Sequence, residues 1–232
     1  MRIAGSTALV TGAGRGLGAV LVDALLARGA ATVYAGARDP RSVAHQDPRV
    51  IPLLLDVTEP ATVRAAAERA GDVDLLINNA GVAGNGSLLT GDPERARAEM
   101  ETNFWGPVSV LRAFAPVLAH HGGGAAVNVL SALSWLTAPF TASYSASKAA
   151  AWSFTGSARA ELRARGTQVV GVHLGYMDTD MVAGLDVPKI APAGVARQIL
   201  DAVESGAEEV LADLPSERAK AALSGAPAGL EL

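Results

Sequence analysis

Tyr144 and Lys148 stand four residues apart at the start of a stretch with helical period, which puts both side chains on one face. An ammonium beside a phenol favours the phenolate and lowers the tyrosine pKa, as an acid/base working near neutral pH requires. Lys148 is one of three lysines among 19 basic residues, so it is not drawn from a crowd of surface lysines. Ser131 follows the apolar run 125–130, thirteen residues before Tyr144. Taken singly, each has a plainer reading: a capping serine, a half-buried tyrosine with a wet hydroxyl, a snorkelling lysine.

A second group of residues lies near the N-terminus. The run 7–11 leads into Thr11-Gly12-Ala13-Gly14-Arg15-Gly16-Leu17-Gly18 and then directly into a helical stretch. Glycines there let the backbone turn sharply and approach a pyrophosphate, which would sit at the positive helix N-terminus. A plain tight turn is the alternative, and the strand–loop–helix context favours the nucleotide. About 20 residues further on, a carboxylate would hold the ribose hydroxyl of NAD, whereas a basic residue would hold the extra phosphate of NADP. The sequence there is Tyr34-Ala35-Gly36-Ala37-Arg38-Asp39. Arg38, with Arg15 in the loop, offers two guanidiniums for one phosphate dianion and points to NADP. Asp39 keeps NAD open, because a register one residue off would favour it.

These groups need elements to carry them. Strands are expected at 7–11, 32–36, 50–55, 74–78, 125–130, 168–174 and 209–212. Helices are expected at 16–28, 59–70, 143–165 and 191–205. A further long helical region opens at Asp92-Pro93 and runs towards His120, with a break near Gly106-Pro107. The segment from Leu214 is Ala/Gly/Pro-rich and reads as a tail that packs or frays. Alternating β and α elements, with strands apolar on both faces, mean an α/β fold: a doubly wound parallel sheet of Rossmann type with helices on both sides. No repeat, charge block or linker divides the chain, so residues 1–232 read as a single domain. Such a sheet binds ligands at the carboxyl ends of its strands.

Composition narrows the chemistry. Half the residues are apolar and 18% are charged, enough for a sizeable core. A net charge of −4 argues against nucleic acid as a partner. With no cysteine there is no disulfide, zinc–thiolate site or cysteine nucleophile. His45, His120, His121 and His173 fall in no metal-ligand spacing and read as solvated imidazoles, so no metal is expected. Few residues precede the first strand and no apolar run is long enough for a membrane helix, which leads us to expect a cytoplasmic protein without a membrane partner.

Together these motifs resemble the classical short-chain dehydrogenases/reductases from Thr7 to about Ala212. The resemblance rests on the glycine loop, Asp56-Val57, Asn78-Asn79-Ala80-Gly81, Asn103, Ser131 and Tyr144-Ser-Ala-Ser-Lys148. It implies a hydride transfer between NADP(H) and a carbonyl or secondary alcohol. Ser131 would hydrogen-bond the substrate oxygen and Tyr144 exchange its proton. Lys148 would bind the nicotinamide ribose and tune Tyr144, and Asn103 would hold a water linking Lys148 to solvent. The cofactor would lie along Gly12, Gly14, Arg15, Gly16, Leu17, Gly18, Arg38, Asp56, Val57, Asn79, Ala80, Gly81, Tyr144, Lys148, Gly175 and Thr179. Asn78 would lie along the same edge.

The sequence also departs from the family. The usual Pro-Gly after the sixth strand is Leu174-Gly175, which removes proline's rigidity from that turn. The lid segment 180–189 and the connection 38–50 are short, suggesting an open pocket. Leu133, Trp135, Tyr176 and Met181 follow strand ends near the reacting groups and give it apolar or aromatic walls, suited to apolar or aromatic ketones or aldehydes. A homodimer or homotetramer is expected through helix 143–165, with Trp152 and Phe154 available for the contact. The rival readings are an NAD-dependent alcohol dehydrogenase and a non-catalytic NADP(H)-sensing regulator on the same fold. The natural substrate, the direction and the stereochemistry are not legible.

Overall fold

The computed structural model describes residues 1–84, 86–137 and 140–224. Seven strands form one parallel sheet: β1 (Thr7–Thr11), β2 (Thr32–Ala37), β3 (Val50–Leu54), β4 (Leu75–Asn78), β5 (Gly124–Val129), β6 (Thr167–His173) and β7 (Glu209–Leu211). Their spatial order is β3-β2-β1-β4-β5-β6-β7. The order reverses between β1 and β4, the point at which such sheets open a crevice at the strand ends.

Side chains alternate across the sheet with the strand period of two. Ala8, Val10, Leu75, Ile77, Ala125, Val127, Val170 and Val172 face one layer, built on α1 (Gly16–Ala27) and α6 (Pro192–Ser205). Leu9, Leu76, Ala126 and Val169 face the other, built on α2 (Pro60–Arg69), α4 (Gly106–His120) and α5 (Ala142–Arg163). Central strands thus bury both faces, which is why they read as continuous apolar runs. β3 at the sheet edge buries only Val50 and then alternates half-buried Ile51 and Leu53 with exposed Pro52 and Leu54.

Helix starts follow their local signals. Asp92 caps α3 (Pro93–Met100) by accepting from the Glu94 amide, with Pro93 in the first turn. The break in the long helical region falls just before Gly106. Residues Glu101–Trp105 form a π-turn, closed by the Gly106 amide on the Glu101 carbonyl. The segment from Leu214 was read as a tail, but it begins as helix α7 (Leu214–Ala222). Asp213 and Ser216 form a reciprocal cap there, and Pro215 sits in the first turn. Ala219 of α7 packs on Ala132, Trp135 and Leu136 in a third, small core.

Candidate active site

The glycine loop bridges β1 and α1. Gly12 has φ +67°, a conformation that disfavours a side chain, and a Cβ on Gly18 would collide with the Gly12 carbonyl. Asn79 ties this loop to the end of β4. Its Nδ2 donates to the Thr11 carbonyl at 2.9 Å, while the Asn79 and Ala80 amides both donate to Thr11 Oγ1 at 3.0 Å. Arg15 occupies the N-cap of α1 without a side-chain cap bond, so the first-turn amides are left to a ligand. Thr179 leans over the loop, its Cγ2 3.4 Å from where a Gly16 Cβ would stand.

At the end of β2, Arg38 is exposed and makes no ion pair among the described residues. Asp39, the residue that kept NAD open, is committed elsewhere. Both its oxygens bind the Arg41 guanidinium, at 2.9 and 3.0 Å, and Oδ1 also accepts from the Arg41 amide. That pairing holds the Asp39 carboxyl below its ordinary pKa. Arg41 and Ser42 lie in a single helical turn, Pro40–Ser42, for which the segment between the second and third strands has room; Ser42 sits directly against Gly14. Arg15 reaches Asp180 at 3.8 Å with both side chains exposed, a weak contact that leaves its guanidinium free to move. Asp56 accepts from Thr58, and Val57 is buried against Gly106.

The acid/base residues converge at the ends of β4 and β5. Ser131 is buried, its Oγ accepting from the Leu133 amide and hydrogen-bonded to Tyr144. Lys148 Nζ donates to the Val129 carbonyl at 2.9 Å and lies 5.7 Å from the centroid of the Tyr144 ring. Asn103 sits in the π-turn. Its Oδ1 accepts from the Val82 amide at 2.9 Å, and its Nδ2 donates to the Val82 carbonyl and to Ser147 Oγ. Ser147 Oγ in turn donates to the Tyr144 carbonyl. Gly81 lies between Asn103 and Lys148, where a Cβ would fall 3.3 Å from Asn103 Oδ1 and 3.7 Å from Lys148 Nζ. Four residues scattered over 45 positions thus surround one point.

The electrostatics differ from the sequence expectation. Tyr144 is not lowered: burial pushes its phenol up to about 12, the hydrogen bond with Ser131 opposes this, and the Glu99 carboxylate adds to it. Burial also draws Lys148 down to about 8. Desolvation outweighs the attraction expected between ammonium and phenolate, so the phenol is held in its protonated form.

Of the expected pocket walls, Leu133 and Tyr176 are half-buried and Met181 is 51% exposed. Trp135 is a correction. It is 7% exposed, stacked on His173 at 3.7 Å and edge-on to Trp152, so it fills the core beneath Ser131 instead of offering an open wall. His173 is likewise no solvated imidazole. It is buried, donates Nδ1–H to the Ser131 carbonyl at 3.2 Å, and is held neutral by burial with its pKa near 4. Gly175, left without its proline, is pinned instead: its amide donates to Asp213 Oδ2 at 2.7 Å, and Pro215 packs against it. Nothing in the sequence marks Asp213 as a partner for the turn that follows β6. The lid is short and folded, with Met177 bridged to Ile190 and a helical turn at Asp180–Val182. Among the described residues no group of His, Asp and Glu could hold a metal, and no helix is long and apolar enough to cross a membrane.

Comparison with known proteins bears on this geometry. The sequence profile described as short chain dehydrogenase matches residues 6–190, which takes in every element from β1 to the lid. The chain belongs to the short-chain dehydrogenase family. A short chain dehydrogenase from Burkholderia cenocepacia J2315, solved in complex with NADP, superposes with a TM-score of 0.95 at 45% identity, covering 99% of this chain and 97% of that one. A Burkholderia phymatum relative in complex with NAD is similar in fold, with a TM-score of 0.85 at 22% identity, covering 91% of this chain and 90% of that one. By sequence, this short-chain dehydrogenase is 33% identical over 201 residues to the Monascus ruber short chain dehydrogenase pigC. The match covers 79% of this chain and 66% of that relative's length. The chain is therefore an oxidoreductase of this family, with the seven-stranded parallel sheet of its solved relatives.

Proposed function

We propose that this short-chain dehydrogenase reduces apolar or aromatic ketones or aldehydes with NADPH, using Tyr144 as the proton donor. The observation that carries the reading is the Ser131–Tyr144–Lys148 cluster, with the phenol kept protonated by burial. Ser131 holds the substrate oxygen and Tyr144 gives it a proton as negative charge develops there. Lys148 supplies positive charge beside the phenol as it loses that proton. Asn103 fixes the Gly81–Val82 backbone and, through Ser147, the turn that bears Tyr144. Asn103 would also hold the water that returns protons through Lys148.

A nicotinamide dinucleotide supplies the hydride when bound. The uncapped first turn of α1 would hold its pyrophosphate, and Gly12, Gly14, Gly16, Leu17, Gly18, Asn79, Ala80, Gly81, Gly175 and Thr179 would line its course. NADP is favoured over NAD because Arg38 and Arg15 are available to a phosphate while Asp39 is spent on Arg41. The bound NADP of the Burkholderia cenocepacia relative points the same way. Leu133, Tyr176 and Met181 give the pocket its apolar walls.

Titrating the protein with NADPH and NADH by cofactor fluorescence, then assaying a panel of ketones, aldehydes and keto acids, tests the reading. NADPH should bind more tightly, and a neutral aryl ketone should be reduced faster than a charged keto acid. Equal use of both cofactors discards NADP; binding without turnover of any carbonyl leaves a sensor. The protein should also form a dimer or tetramer through α5, with Trp152, 40% exposed, at the contact; Phe154 of the same helix packs against the core and Phe104 instead. A monomeric mass by light scattering at micromolar concentration removes that expectation.

A further inference from the structure

Helix α3 carries exposed residues along nearly its whole length, and its one buried residue is a carboxylate, Glu99, 3% exposed. Buried acids are rare unless paired, because removing a charge from water costs several kcal/mol. Glu99 is half paired. Its Oε1 accepts from the Gly84 amide, while Oε2 is buried with no hydrogen-bond partner among the described residues. Glu99 borders a cavity of about 150 Å³ whose lining includes Gly84, Ser87, Asp92, Arg95 and Ser143. Ser143 immediately precedes Tyr144, so this cavity adjoins the acid/base cluster. Whole ligand sites run to roughly 300–1,000 Å³ and a water takes up about 30 Å³, so this space suits one short polar arm and not a second ring.

We propose that Glu99 is a substrate-recognition residue: the cavity between α3, the loop after β4 and the start of α5 receives a hydroxyl on the substrate, which donates to Oε2 while the carbonyl lies at Ser131 and Tyr144. This rests on the carbonyl-reduction reading and narrows it to substrates with a hydroxyl-bearing arm. An apolar arm would leave the buried oxygen without a donor, and an unpaired buried acceptor is costly. An ammonium arm would bring three donors and a heavy desolvation cost, and the cavity offers it one buried acceptor, an exposed Asp92 and the opposing Arg95 guanidinium. A neutral donor satisfies Oε2 and leaves the guanidinium undisturbed.

Binding is measured by calorimetry on protein loaded with whichever oxidised cofactor binds, NADP⁺ or NAD⁺, so that the ketone cannot be reduced, and nicotinamide absorbance is followed to show that the hydroxymethyl group is not oxidised. The probes are 4-(hydroxymethyl)acetophenone, 4-ethylacetophenone, which replaces the hydroxyl by a methyl, and 4-(aminomethyl)acetophenone. The hydroxymethyl probe should bind on the order of tenfold to a hundredfold more tightly than the ethyl probe, the effect of a hydrogen bond to a charged acceptor. Glu99→Gln keeps an oxygen for the Gly84 amide and replaces the charged acceptor by an N–H that can only donate to the hydroxyl oxygen, so the ratio between the two probes should fall well below the wild-type value. Glu99→Leu should do the same. Equal binding of both probes, tightest binding of the amine, a ratio unchanged in Glu99→Gln, or binding of no probe each overturns the assignment. Turnover with reduced cofactor is scored separately. If no ketone is reduced the carbonyl-reductase reading fails, whatever the binding ratio says of Glu99.

Discussion

Replacing Lys148 by Met separates what this lysine costs the fold from what it does in the site. The side chain is 5% exposed, and burial draws its pKa from 10.5 to about 8. At about 1.36 kcal/mol per pH unit, holding the charged form inside costs about 3 kcal/mol. The bond to the Val129 carbonyl, 2.9 Å long, returns about 1.5–3 kcal/mol, the usual range for a charged donor. Lys148→Met should therefore leave stability at pH 7 unchanged or raise it by about 1–2 kcal/mol. In a chain of this size that is a rise in Tm of zero to about 6 °C. The sign of the pH dependence follows from the lowered pKa. Between pH 8 and 10.5 the unfolded chain holds the lysine proton and the folded protein does not, so wild-type stability rises with pH through that window. The cost is fully present below pH 8, and the variant's advantage should shrink or reverse by pH 10. Thermal melts of both proteins at pH 7 and pH 10 measure this, while turnover and NADPH affinity should both fall in the variant. A variant melting more than about 5 °C below wild type at pH 7 refutes the burial argument, as do parallel stability–pH curves.

Tyr144→Phe keeps the ring and removes the proton, so turnover should drop by about 10²–10⁴ with cofactor binding and Tm preserved; near-full reductase activity in a folded variant places the chemistry elsewhere. Because the phenol titrates near 12, an alkaline fall in reductive kcat/KM close to pH 8 belongs to Lys148, and a profile flat to pH 10 contradicts that assignment. Arg38→Ala should weaken NADPH binding roughly tenfold to a hundredfold and leave NADH affinity nearly unchanged, as fluorescence titration can show. Asp213→Ala removes both a helix cap and the acceptor for the Gly175 amide. It should cost about 2–3 kcal/mol and lower Tm by about 5–10 °C; a Tm within 1 °C of wild type means the Asp213–Gly175 bond contributes nothing.

The sheet was legible because each strand repeats the same local signal, an apolar run bounded by glycine or a capping residue. All seven strands begin within one residue of where β-branched and apolar runs place them, and β1 coincides with its run. The motif residues were legible for a related reason. The strand–loop–helix junction and the Tyr144–Lys148 spacing constrain backbone geometry within a few residues. Asp39 shows where local reading stops. Its oxygens are taken by a residue two positions on, and only a chain already turned at Pro40–Ser42 brings that guanidinium back.

What stayed hidden involves groups whose partners come from distant elements. Asp213 caps α7 with one oxygen, and its second reaches 38 residues back to Gly175. The chain thus replaces a rigid proline with a hydrogen bond anchored at the start of α7, so the helix that looked like a tail supports the turn that follows β6. His173 and Trp135, 38 residues apart in sequence, are hidden in the same way. Each alone suggests a polar or pocket-facing role, and each is explained by the other's ring and by the Ser131 carbonyl. Charge makes the effect largest. Burial moves Tyr144 up and Lys148 down, against the direction their pairing suggests, because desolvation depends on everything packed around a group and attraction on a single neighbour. A motif therefore identifies which groups meet, and the packing around them decides which one holds the proton.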